Sequence, residues 1–252
     1  MKKYFFFLII LTHSISAQYT NINIVKEIHT KDKGMVVCAH PLASEAGAKI
    51  LKMGGNAFDA AIATQFALAV VYPQAGNIGG GGFLIGYTNK GEKIALDYRE
   101  TAPKKASKDM YLDKNGNANT DLSQNGRLAV GIPGSVSGMY FTHQKYGKLP
   151  ISVLIQPAID LAEKGFALTE REANLLNATK EDFLKHNSHQ TAFTKENPWK
   201  QGDILVQKEL ANTLKLIKKN GEKAFYEGKN AQLLVDEMKR GNGIISLEDL
   251  KN

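Results

Sequence analysis

The sequence holds one cysteine, Cys38, one tryptophan, and no uninterrupted apolar stretch longer than the eight residues Tyr4 to Leu11. A lone cysteine excludes an intramolecular disulfide framework and any cysteine-based metal cluster. Eight apolar residues fall well short of the ~20 needed to cross a bilayer, so no stable membrane span is expected. Basic residues occur as short pairs, Lys104-Lys105, Lys218-Lys219 and Lys239-Arg240, with acids nearby. No basic stripe interleaved with aromatics exists, which argues against nucleic acid as a partner. The chain also lacks G-x-G-x-x-G, G-x-x-x-x-G-K-[ST] and G-x-S-x-G, and it has no Thr-Thr pair. These absences remove the dinucleotide fold, the P-loop and the serine-hydrolase elbow from consideration.

What is present is ordinary globular composition: 252 residues, 43% hydrophobic and 23% charged, with a formal net charge of +7. Residues 1–17 differ from the rest. Lys2 and Lys3 precede the apolar run, and Thr12 to Ala17 end in small residues. That order reads as a cleaved secretory signal, so the protein is expected to be exported to a periplasm or the exterior. Losing Lys2 and Lys3 takes the formal charge from +7 to +5. Residues 18–33 are polar without periodicity, and residues 34–252 are expected to form one α+β unit.

Within that unit, Gly34 to Ala39 has the composition of a buried strand carrying Cys38 as a small hydrophobe. Ser44-Glu45 offers a helix start, and Gly54-Gly55 the stop. Asn56 with Asp59 predicts a capped helix from Ala57 to Val71, apolar nearly all round and therefore buried. Two strands, Phe83 to Tyr87 and Lys93 to Glu100, flank a loop of hairpin composition. Alternation in the second places Asp97 and Arg99 on one face, opposite Ile94, Leu96 and Tyr98. Helices are expected over Ser135–Lys145, over Ser152–Lys164 with Pro157 opening or kinking it, and over Ala173–Lys180 behind a Thr169/Glu172 capping box. Leu210, Leu214 and Ile217, and later Ala231, Val235 and Met238, mark two more, ending at Gly221 and Gly241. Ser246 with Asp249 announces a helix that the chain has no length to complete, which suggests a truncated product.

The four consecutive glycines Gly79 to Gly82 stand between two apolar runs. Glycine weakens a regular element unless a positive φ or a close backbone approach requires it. Arg99 follows in Asp97-Tyr98-Arg99-Glu100. Its planar guanidinium matches a carboxylate through two parallel hydrogen bonds, whereas the plainer role is an ion pair with Asp97 or Glu100. Ser135 and Ser137 line a helix start, His186 and His189 lack a third ligand, and Cys38 with His40 lacks one too. No metal or cofactor is called for.

The segments Gly54-Gly55-Asn56-Ala57-Phe58-Asp59-Ala60-Ala61, Pro73-Gln74-Ala75-Gly76-Asn77-Ile78-Gly79-Gly80-Gly81-Gly82-Phe83 and Asp97-Tyr98-Arg99-Glu100-Thr101-Ala102-Pro103 resemble the γ-glutamyltranspeptidase family. So do Gly131 to Gly138, Gln156-Pro157-Ala158, Gly202-Asp203 and Glu248-Asp249-Leu250, from about residue 34 onward. The resemblance implies an N-terminal-nucleophile hydrolase with an αββα sandwich, made as a precursor that cuts itself into a large and a small subunit. It implies removal of the γ-glutamyl group from glutathione and related amides, with transfer to water or an amino-acid or peptide acceptor. It assigns Arg99 the α-carboxylate of the substrate. The family nucleophile is a threonine opening a Thr-Thr-His segment, absent here, so no catalytic residue is expected in this chain. The sandwich is then incomplete and the chain inactive alone, matching the front of the large subunit and needing the small subunit of the same precursor. A β-lactam or glutaryl acylase of the same superfamily, and a non-catalytic short chain that binds γ-glutamyl compounds, are the alternatives.

Overall fold

The computed structural model describes residues 34–187 and 189–251. The expected signal (1–17) and polar segment (18–33) lie outside the described residues. No described helix is long and apolar enough to cross a membrane.

Helix α1 (Pro41–Lys52) leads to α2 (Ala57–Val71), then to the antiparallel hairpin β1 (Phe83–Tyr87) and β2 (Lys93–Asp97). A short helix α3 (Thr120–Gln124) and a 3-10 turn at Arg127–Ala129 precede α4 (Ser135–Tyr146) and α5 (Ile151–Lys164). Strand β3 (Phe166–Ala167) pairs antiparallel with β4 (Ile204–Leu205) across α6 (Glu170–Ala178) and α7 (Lys180–His186). The remainder is helical: α8 (Lys208–Asn220), α9 (Lys223–Tyr226), α10 (Gly228–Arg240) and α11 (Leu247–Lys251). The class is α+β, as the sequence indicates.

Helix α2 is the centre of the core because it is apolar on every side: Ala63, Phe66, Ala67, Val70 and Val71 are fully buried. It packs between α1 and α5, and α5 in turn covers α8 through Leu154, Ile155, Ala158, Leu214 and Ile217. Its start is fixed by a capping box in which Asn56 accepts from the Asp59 N–H and Asp59 from the Asn56 N–H. Asp59 is wholly buried and also accepts from the Lys148 and Leu149 N–H groups, so one carboxylate joins the α2 start to the α4–α5 turn. A second cluster, Ala231, Val235, Met238, Ile245 and Leu250, forms where α10 and α11 meet Ile132.

Several expectations are corrected. Residues 34–38 form no strand among the described residues, and Met35 and Val37 are exposed; no neighbouring strand pairs with this run. Cys38 still packs against the core, its thiol 3.2 Å from the His40 carbonyl and 3.1 Å from Ser44 Oγ. Helix α1 begins at Pro41 rather than Ser44, because His40 Nδ1 accepts from the Leu42 N–H and proline suits a first turn. Pro157 sits inside α5, which opens after Pro150. The helix expected to reach Lys180 ends at Ala178, where the Thr179 hydroxyl bonds back to the Leu175 carbonyl and α7 starts anew. One helical turn does form after Ser246, with Asp249 accepting from its N–H and hydroxyl. Strand β2 stops at Asp97, so Arg99 follows the strand rather than belonging to it.

Candidate substrate-binding site

The glycine run passes beside Tyr98 and Arg99 at backbone distance. A Cβ on Gly81 would stand 2.6 Å from Arg99 Cα, and one on Gly82 2.9 Å from the Tyr98 ring. Neither space admits a side chain, which answers why glycine occupies these positions. The Gly80 carbonyl accepts from the Gly134 and Ser135 N–H groups at 2.8 and 2.9 Å, so the run also docks the first turn of α4. From the other side Gly138 receives the Tyr98 ring, where a Cβ would meet it at 2.3 Å. Tyr98 is thus wedged between two glycines far apart in sequence. Its hydroxyl donates to Gln65 Oε1 of α2 at 3.1 Å, and burial raises its pKa.

Beyond Tyr98 the chain leaves β1 and pairs with another segment. Gly82 and Tyr98 exchange the last hairpin bonds, and Thr101 and Ile132 then exchange two of their own. Arg99 sits at that crossing with its side chain about three-fifths exposed. Its guanidinium lies 4.7 Å from the Phe83 ring centre, a cation–π contact. Nε and Nη2 donate to Asp97 at 3.1 and 2.8 Å, and the Arg99 backbone N–H donates to the same carboxylate at 3.0 Å. These bonds hold the Asp97 carboxyl below its ordinary pKa and raise that of Arg99. The shared face of Asp97 and Arg99 is as the alternation indicates. It is not a polar face, because Phe83, Ile85 and Tyr87 are more than half exposed on the cross-strand positions. Exposed apolar area of that kind marks a surface that another element covers.

A cleft of about 640 Å³ opens between the hairpin end and helices α4, α9 and α11, with Arg99, Ser137, Tyr226 and Asp249 in its wall. Tyr226 ties the wall together: its hydroxyl donates to the Pro133 carbonyl at 3.0 Å and accepts from the Ser137 N–H at 3.1 Å. Burial pushes its pKa up to about 12, so it remains a neutral donor. Asp249 is buried, which by itself raises a carboxyl pKa. Its hydrogen bonds from the Lys104 N–H and from Ser246 more than offset this, and its pKa is lowered.

Of the other candidates among the described residues, Ser137 alone lines this cleft. Ser135 is buried in the first turn of α4, whereas Ser137 reaches the cleft wall. His40, the cap of α1, pairs through Nε2 with Glu172 of α6 at 3.0 Å and does not line the cleft. His186 ends α7 and His189 is exposed. No group of three or more His, Cys, Asp or Glu side chains able to hold a metal exists among the described residues. Sequence reasoning missed Gln65 and Tyr226, and it took Gly134 and Gly138 only as part of the segment Gly131 to Gly138; the glycine pair one turn apart was the available signal.

Comparison with known proteins follows the same residues. The family model described as Gamma-glutamyltranspeptidase matches residues 43–252. A glutathione hydrolase proenzyme from Pseudomonas sp. (strain A14) is 46% identical over an alignment 253 positions long, which covers 99% of this chain and 44% of that protein. The chain therefore spans less than half the length of that relative. The crystal structure of Helicobacter pylori γ-glutamyltranspeptidase superposes with a TM-score of 0.86 at 50% identity, covering 89% of this chain and 65% of the other. A cephalosporin acylase from Bacillus halodurans superposes at 0.72 with 26% identity, covering 89% and 44%. The glycine shelf, the arginine beside it and a match along most of the length agree: this chain belongs to the γ-glutamyltranspeptidase family.

Proposed function

We propose that this chain is the front part of the large subunit of an exported precursor, residues 34–252, preceded by a signal over residues 1–17 and a polar segment over 18–33. The mature enzyme moves a γ-glutamyl group from glutathione or a similar amide to water or to an amino-acid or peptide acceptor. Arg99 receives the α-carboxylate of the donor. A threonine in the partner small subunit attacks the amide carbonyl with its own free amine as base, so this chain positions substrate and performs no bond-breaking step. The observation that carries this reading is the placement of Arg99: an exposed guanidinium on a backbone fixed from three sides, at the rim of a cleft of substrate size. Its Nη1 amine makes no hydrogen bond among the described residues, leaving donors for an incoming carboxylate while Asp97 keeps the fork oriented.

The test compares hydrolysis of a γ-glutamyl anilide and a glutaryl anilide by the full-length protein. The glutaryl compound keeps the free carboxylate at the same distance from the anilide and lacks only the α-amino group, so the comparison reads recognition of that amine. A strong preference for the γ-glutamyl anilide is expected. Replacing Arg99 by Ala should raise KM for it by roughly tenfold or more, the worth of a sheltered charge-assisted bond. An unchanged KM removes Arg99 from the site, and preference for the glutaryl anilide supports an acylase of the kind represented by the Bacillus halodurans structure.

A further inference from the structure

We propose that Asn125 is a deamidation site chosen by the fold. Four Asn-Gly pairs occur in the chain, at Asn115, Asn125, Asn220 and Asn242. Deamidation of such a pair begins when the backbone nitrogen of the glycine attacks the side-chain carbon Cγ of the asparagine. The new N–Cγ bond forms as Cγ–Nδ2 breaks, the glycine nitrogen gives up its proton, and ammonia leaves. Water then opens the five-membered imide at either carbonyl, giving aspartate or isoaspartate. A glycine N–H already donating a hydrogen bond must first release it, so the local backbone decides which pair reacts.

Three of the four glycine nitrogens are engaged. Gly116 donates to the Asp113 carbonyl at 3.0 Å, Gly221 to Ile217 at 2.9 Å and Gly243 to Met238 at 2.7 Å. The Gly126 N–H donates to no acceptor among the described residues. Gly126 also has a φ of 74° with nothing within 4 Å of where a Cβ would stand, and Asn125 and Gly126 are both exposed. Ring closure there breaks no hydrogen bond of the attacking nitrogen and displaces no neighbour of Gly126, and the Asn125 amide gives up its bond to Asp121 as ammonia leaves. Gly243, by contrast, is enclosed by Met238 and by the Arg127 backbone and side chain.

The product alters its surroundings. Asn125 Nδ2 donates to Asp121 Oδ1 at 2.7 Å, closing the end of α3. A carboxylate at 125 replaces that bond with like charges at i, i+4. The isoaspartate form adds a backbone carbon two residues before Arg127, which anchors this segment to Glu237 of α10.

The experiment incubates the full-length protein in mildly alkaline buffer, folded and in urea, and follows all four sites by peptide mass spectrometry. In the folded protein Asn125 should convert roughly two- to tenfold faster than each other site, the worth of one glycine hydrogen bond. In urea the lead should vanish. Conversion at Asn115, Asn220 or Asn242 as fast as at Asn125 in the folded protein overturns the proposal. So does a lead for Asn125 that persists undiminished in urea, or no conversion at Asn125 when folded.

Discussion

Arg99 is held by the residue two positions before it: its Nε, its Nη2 and its backbone N–H all donate to the Asp97 carboxylate. The same fork that suits a substrate carboxylate is thus half occupied by a neighbour on the same face. Removing Asp97 takes away the hydrogen bonds that orient the guanidinium and leaves it only the contact with Phe83. Because both partners are solvent-exposed, the pair adds little to folding. Asp97→Ala in the full-length protein should therefore leave Tm nearly unchanged while raising KM for a γ-glutamyl anilide. Equal KM in the two proteins would show that Asp97 does not orient Arg99.

The glycines around Tyr98 make a sharper prediction. Gly138 lies within α4, where alanine would normally favour the helix by about 1 kcal/mol. A Cβ there would lie 2.3 Å from the Tyr98 ring, and the ring cannot retreat because Gly82 closes the opposite side. Overpacking of this kind costs about 1–3 kcal/mol, so Gly138→Ala should lower stability in spite of helix propensity. Thermal melts decide the sign, and KM should rise as Tyr98 drags Arg99 with it.

The α2 start offers a graded pair. Asn56→Ala removes one cap and should cost about 1 kcal/mol. Asp59→Ala removes a fully buried carboxylate, and with it the bonds from the Lys148 and Leu149 N–H groups as well as the capping box. A hydrogen bond to a charged group contributes about 1.5–3 kcal/mol, so urea unfolding should place Asp59→Ala well below Asn56→Ala. Similar losses for both would mean that the link to the α4–α5 turn contributes nothing.

The same residues show what the sequence disclosed. Capping boxes at Asn56/Asp59 and Thr169/Glu172 and the all-round apolarity of α2 were legible because they are local patterns, closed within one or two helical turns. The reach of Asp59 to Leu149 was not, since 90 residues separate them. Gly34 to Ala39 has strand composition, but a strand exists only with a partner, and composition does not say whether one arrives. Arg99 was found through its motif. Its anchoring by Tyr98 between Gly82 and Gly138 required the folded backbone, because no spacing rule joins those three positions.

Asp249 gives the pH dependence. Its carboxylate accepts from the Lys104 N–H at 2.9 Å, from the Ser246 N–H at 2.8 Å and from the Ser246 hydroxyl at 2.6 Å, and its pKa lies below the ordinary value of 3.8. A carboxyl whose pKa is depressed by folding stabilises the folded state in full above the unfolded value, and that contribution fades as pH falls through the folded one. Asp249→Asn should thus lose about 1–1.5 kcal/mol at neutral pH, the difference between a charge-assisted and a neutral bond. The two proteins should converge in stability as the pH drops below 3.8. Parallel urea titrations at neutral and acid pH read this directly, and a gap that stays constant across the range would mean that Asp249 acts through shape rather than charge.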